Sequence, residues 1–168
     1  MARASYELAQ VNIARMRAPL DTPLMSGFVD QLEPVNAVAD AAEGFVWRLQ
    51  TEDGDATAYR VFDDEWLMVN MSVWTSPQTL TAYVYGPEHR AVLRGRRQWF
   101  HQLSQAVTAL WWVEAGHRPT VSEAEEKLTL LRDNGPTAEA FTLRTTFPPP
   151  GSSSREPVER DLIGCEAD

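Results

Sequence analysis

His89 stands three residues before Val92 and four before Leu93, so on a helix it shares their apolar face and points inward. An inward imidazole titrates near neutrality and offers a coordinating nitrogen, which suits a general acid/base or an axial iron ligand. A structural histidine, hydrogen-bonded at a helix start, would read the same way in sequence. Arg96 falls on the same stripe seven residues later, where a buried guanidinium needs a partner from the protein or from a ligand. If functional, Arg96 or Arg97 would hold an anionic group such as a carboxylate; the structural alternative is an internal ion-pair network. Arg94 and Arg97 lie further round the helix and are either solvated or paired with the acids of 52–64.

His101 is off the stripe and reads as exposed. His117 lies in the tight loop 115–119, where function and turn stabilisation compete as explanations. Strand alternation adds polar groups to the apolar interior. Gln10 and Asn12 share a face with Leu8, and Asn70 and Ser72 share one with Trp74. Buried amides demand partners. Aromatic walls with a few convergent polar groups describe a small-molecule pocket. Tyr83 and Trp112 are candidates for such a wall, and the same alternation sends Trp111 and Trp112 to opposite sheet faces.

Several chemistries are excluded by what the sequence lacks. There is no paired metal-ligand spacing, no glycine-rich phosphate loop and no serine in a nucleophile elbow. A net charge of −9 argues against general nucleic-acid binding. The positive charge is nearly all guanidinium, since Lys127 is the lone lysine. No apolar run approaches the roughly 20 residues of a membrane span, and no secretory leader is recognisable. The single cysteine, Cys165, fits a reducing compartment, so a soluble cytoplasmic protein is expected.

The elements that must position these side chains follow from periodicity. Tyr6–Met16 alternates as a first strand. Thr22-Pro23 opens a helix through Leu24, Phe28, Leu32 and Val35, which Pro34 should kink or divide before Ala42. Strands follow at Phe45–Gln50 and Leu67–Trp74, separated by the acidic turn Glu52–Asp55. Ser76-Pro77 starts a second helix, which Gly86-Pro87 interrupts and restarts, with Val92, Leu93, Trp99, Phe100 and Leu103 on one face. Ala106–Val113 is a strand, Thr120 begins a helix to Asp133, Asn134-Gly135-Pro136 stops it, and Phe141–Phe147 is a last strand. Residues 1–150 thus form one domain, and 151–168 a mobile polar tail. The order suggests an α+β fold: an antiparallel sheet with helices on one face, its other face free to pair in a homodimer.

Asn12–Arg15, Ala18–Asp21, Gly44–Ala56 (GFVWRLQTEDGDA), Asn70–Trp74, Trp111–His117 and Phe141–Pro150 together resemble a bacterial domain family of unknown function, over roughly residues 5–150. More distantly, the strand ending in Val73-Trp74, then Ser76, Leu80 and the helix with His89, is similar to the dimeric α+β barrel superfamily. That superfamily contains antibiotic-biosynthesis monooxygenases and heme-degrading monooxygenases. The resemblance implies a ferredoxin-like protomer in a dimeric α+β barrel. The heme-degrading members use a first-strand Asn, a helical Trp and a helical His. Asn12 and His89 could fill two of those roles, whereas the Trp position holds Tyr83 and His89 comes about one turn early.

The expectation is therefore a monooxygenase-like enzyme, cofactor-independent, acting on a small aromatic or anionic metabolite. His89 and Asn12 would be catalytic, and Arg96, Arg97, Trp74, Tyr83, Asn70 and Trp112 would bind substrate. The alternatives are a heme protein with His89 as axial ligand, or a non-catalytic dimeric binding module.

Overall fold

The computed structural model describes residues 5–50 and 60–160; the turn Glu52–Asp55 and Cys165 lie outside them. The strand β1 (Tyr6–Met16) is the axis of the sheet. On one side it pairs antiparallel with β3 (Leu67–Trp74), Leu8 opposite Trp74 and Asn12 opposite Asn70. On its other side it pairs with β5 (Thr108–Glu114) and, at its far end, with the two-residue β4 (Phe100–His101). The strand β2 (Phe45–Arg48) adds to the outer edge of β3. The order β2-β3-β1-β5 is antiparallel throughout. With α1 (Ser26–Ala41) linking β1 to β2, and α2 (Pro77–Val84) and α3 (Pro87–Trp99) linking β3 to β5, it is a ferredoxin-like βαββαβ unit.

Alternation sorts the sheet into two faces. Leu8, Gln10 and Asn12 share the first face with Trp74, Ser72 and Asn70 and with Trp112, Leu110 and Thr108. Here α2 seats Leu80 and Tyr83 against Trp74, while α1 and α3 close over Met16 and Met68 through Phe28, Trp99 and Val92. The second face carries Ala9, Val11, Ile13, Val69, Met71, Val73, Ala109, Trp111 and Val113. The expectation of helices on one face holds for α1, α2 and α3. A fourth helix, α4 (Val121–Asn134), departs from it: Ala124, Leu128 and Leu131 bury themselves on the second face, which was expected to pair with a partner. That surface is therefore covered from within the chain.

Helix ends follow the sequence signals. The Ser76 hydroxyl accepts the Thr79 N–H and Pro77 takes the first helical position; Thr120 does the same for Glu123 at the start of α4. Thr22 behaves differently. Its hydroxyl donates to the Pro19 carbonyl, and Pro23–Met25 forms a 3-10 turn before α1. Pro34 lies inside α1 without dividing it. Gly44, at φ +81°, turns the chain from α1 into β2, and a Cβ there would run into the Thr79 side chain.

Three expectations are corrected. Phe100 and Leu103 do not continue α3: the Trp99 carbonyl is taken by the Arg17 N–H, and Phe100 turns extended to pair with Met16. Phe141–Phe147 is not one strand. Phe141 exchanges two hydrogen bonds with Leu110, and then only β6 (Thr145–Thr146) is extended, ahead of three prolines that have no N–H to continue a ladder. The segment read as tail returns as β7 (Val158–Glu159) and pairs with β6, so the chain is anchored through Arg160.

Candidate functional site

The first face is not uniformly apolar beneath its helices. Between the Leu8–Trp74 cluster and the Met16–Met68 cluster runs a polar band of Gln10, Asn12, Asn70, Ser72 and Thr108. The Gln10 amide donates to Asn70 Oδ1 (3.0 Å) and to the Ser72 hydroxyl (2.7 Å), which also accepts the Trp74 indole N–H (2.8 Å). Asn12 donates to the Thr108 hydroxyl at 2.7 Å. Gln10 and Ser72 are buried, yet Asn70 is exposed although its strand lies inside the sheet. An open polar floor on the helix-covered side is what a cleft between sheet and helices would show.

The wall is aromatic. Tyr83 stacks on Trp74 at 5.1 Å and meets the His89 ring edge-on at 5.3 Å. Its hydroxyl reaches the Val35 carbonyl of α1 at 3.4 Å, and burial pushes its pKa up to about 12, so it stays a phenol. Arg48 faces the same side from β2, opposite Ser72, and its guanidinium is held by Asp40 at the end of α1 (2.8 Å).

Two buried side-chain atoms of the α1–α3 layer have no hydrogen-bond partner: His89 Nδ1 and Gln31 Oε1. Gln31 lies on α1 one turn before Val35, and His89 follows Tyr83 across the α2–α3 break. Leaving such a group unsatisfied costs about 1–3 kcal/mol. Burial also holds the His89 pKa below its ordinary 6.5, with the Val84 carbonyl acting in the opposite sense, so the imidazole is neutral at pH 7.

A pH dependence follows. The unfolded chain binds the His89 proton below about pH 6.5 and the folded chain resists it, so this contribution is complete above 6.5 and is lost as pH falls through the lowered folded pKa. Denaturant midpoints are expected to fall between pH 7.5 and 5.5 in the parent protein, and by less in His89→Gln. Equal slopes would mean that His89 is as accessible folded as unfolded.

The remaining expected site residues are placed as follows. Asn12, Asn70, Trp74, Tyr83 and His89 all belong to the first-face layer. Trp112 is on that face across β1, packed on Phe141 with its indole donating to the Phe147 carbonyl. Arg96 is half-buried in the last turn of α3, about 10 Å along the helix from His89. Arg97 is exposed, and Asp64, the last of the acids 52–64 offered as its alternative partners, pairs with Arg15. His101 is exposed beside Arg17. His117 sits apart, in a shallow cleft of about 410 Å³ between β5 and α4, where its Nε2 meets Glu123 Oε1 at 2.7 Å. The other Glu123 oxygen accepts the Trp111 indole at 2.7 Å.

Sequence reasoning missed Gln31 and Arg48. Arg48 was visible as a charged residue in a strand otherwise rich in aromatics; Gln31 on a helix carries no comparable signal. Among the described residues no group of three or more His, Cys, Asp or Glu could hold a metal ion, and no helix is long and apolar enough to cross a membrane.

A family profile described as a domain of unknown function, DUF3291, matches residues 7–157. No curated protein matches. Solved structures similar in outline include SnoaB, a cofactor-independent oxygenase from Streptomyces nogalater (17% identity, 69% of this chain and 97% of that one, TM-score 0.45). Another is the PA3566 protein of Pseudomonas aeruginosa (13% identity, 71% and 100%, TM-score 0.45). A third, from Nitrosomonas europaea, is provisionally described as an antibiotic biosynthesis monooxygenase (10% identity, 71% and 99%, TM-score 0.45).

Proposed function

The chain belongs to the DUF3291 family, and from that premise we propose that it is a monooxygenase-like small-molecule enzyme whose site lies between the sheet and α1–α3. One observation carries the reading: a neutral imidazole, His89, presents a buried nitrogen without a partner beside the Trp74–Tyr83 wall. A neutral histidine in a desolvated wall can take a proton from a bound substrate and return it. Asn12 and Asn70 supply hydrogen-bonding groups on the floor, and Trp74 and Tyr83 supply the surface against which a flat ring would lie. Arg96 would receive an anionic substituent at the far end, while exposed Arg97 and the more distant Trp112 take no part.

Nothing in this assignment requires a cofactor. Heme fits poorly: the Tyr83 ring beside His89, itself stacked on Trp74, already fills the flank of the imidazole with aromatic carbon. Any homodimer would meet through the outer side of α4 or the sheet edges, since the second face is covered.

The test is dioxygen consumption with a panel of hydroxylated naphthalenes and small aromatic acids. His89→Ala should lower kcat by roughly 10²–10⁴-fold, the usual weight of a general acid or base, with the circular dichroism spectrum unchanged. Turnover that survives in His89→Ala would remove the assignment. So would a parent protein that binds these compounds without consuming oxygen, which is the behaviour of a binding module.

A further inference from the structure

Three arginines of this molecule are paired with acids. Arg15 pairs with Asp64, Arg48 with Asp40 and Arg60 with Glu65. The outer face of α3 gathers several that are not. Arg90, Arg94 and Arg97 follow one another at four- and three-residue spacing, so they form one stripe, and all three are exposed. Arg17, also exposed, extends the stripe: its Nε–H donates to the Arg97 carbonyl (2.8 Å), and its guanidinium approaches His101 Nδ1 at 3.4 Å. None of the four makes an ion pair with any described residue, in a chain of 24 acids and 15 bases. The one acid on α3, Glu88, lies on a different side of the helix. A solvated helix face normally alternates its charges. Like charges one turn apart weaken the helix, so this stripe is a standing cost to folding.

We propose that the outer face of α3, with Arg17, is a docking surface for a short acidic segment of a partner protein. Charge complementarity selects the occupant. The three α3 guanidiniums span about 10 Å along the axis, which matches carboxylates placed three and four residues apart on a partner helix. Guanidinium forks favour bidentate pairing with carboxylates. Nucleic acid fits less well, because a long polyphosphate meets the field of a chain whose net charge is −9. A second copy brings another −9, so two copies repel at long range. A short segment offers the carboxylates without that burden.

The test is fluorescence anisotropy of a labelled helical peptide carrying glutamates at positions i, i+4 and i+7, titrated with the full chain. Binding is expected at about 50 mM salt and should weaken several-fold near 300 mM, as exposed charge pairs do. The variant R90E/R94E/R97E should lose roughly tenfold or more in affinity while its circular dichroism and melting temperature hold. The variant R90K/R94K/R97K should keep most of the binding. A scrambled peptide of equal charge should bind more weakly. No binding by the parent chain, or equal binding by R90E/R94E/R97E, would overturn the proposal. It would also fall if a single-stranded oligonucleotide of equal charge bound more tightly, or if the parent self-associated at low salt through the same arginines.

Discussion

Trp99→Ala is expected to destabilise the protein by about 3–5 kcal/mol, a large fraction of the roughly 5–15 kcal/mol that holds an ordinary domain together. Trp99 is 6% exposed and is the side chain through which α1 and α3 meet. Its indole lies against Gly27 of α1, where a Cβ would come within 3.3 Å, and it closes over Gly95 of its own helix, where a Cβ would collide with the ring. Phe28 packs on it at 5.7 Å and meets Phe100 edge-on at 4.9 Å. Alanine would leave a ring-sized void, and the two glycines on its wall have no side chains to relax into it. The converse change, Gly95→Val, should be damaging as well, because the added carbons have no room unless the indole leaves. Urea denaturation measures both. A loss below about 1 kcal/mol in Trp99→Ala would mean that the α1–α3 seam closes without its tryptophan.

Trp74→Ala should cost a comparable amount, about 3–5 kcal/mol, and should also dismantle the proposed site. Trp74 is fully buried, stacked on Tyr83, edge-on to Phe45 at 5.6 Å, and its indole N–H is bonded to Ser72. Without it the Tyr83–His89 wall loses its backing. Trp74→Phe separates the two roles. It keeps most of the apolar contact and removes one buried hydrogen bond, worth about 1 kcal/mol, while Ser72 still accepts from Gln10. The phenylalanine variant should fold and retain ligand binding, measured by denaturation and by oxygen consumption on the same sample. An alanine variant as stable as the phenylalanine one would show that the stack contributes little.

The elements that local sequence determines were legible. β1 and β3 stand out as apolar-rich strand-length runs, and Ser76-Pro77, Gly86-Pro87 and Thr120 mark helix starts where the structure has them. What sequence could not supply was where each element docks. The apolar spacing of Ala124, Leu128 and Leu131 announces an amphipathic helix but does not say which sheet face receives it. The helical phase of Phe100 and Leu103 was sound arithmetic defeated by a tertiary bond, from Arg17 N–H to the Trp99 carbonyl. At the site, the placement of His89 on an inward face was readable from Val92 and Leu93. Its unsatisfied nitrogen was not, because satisfaction depends on which groups the tertiary fold brings beside it. Glu123 shows the same limit. In the Thr120-x-x-Glu123 pattern the Glu carboxylate is expected to turn back on the helix start, yet here it goes to Trp111 and His117.

The central position of β1 governs the order in which the molecule can be assembled. Leu8 precedes both of its neighbours in the chain and is flanked in the finished sheet by Trp74 and Trp112. The strand that organises the sheet therefore waits for two partners that emerge far later, and its backbone donors and acceptors stay unpaired in the interval. Long-range pairing of this kind slows folding and leaves an aggregation-prone edge on a nascent chain. Chains released before β5 is complete would present β1 with one side open, Val11 and Ile13 uncovered by α4, and should be the species that chaperones retain.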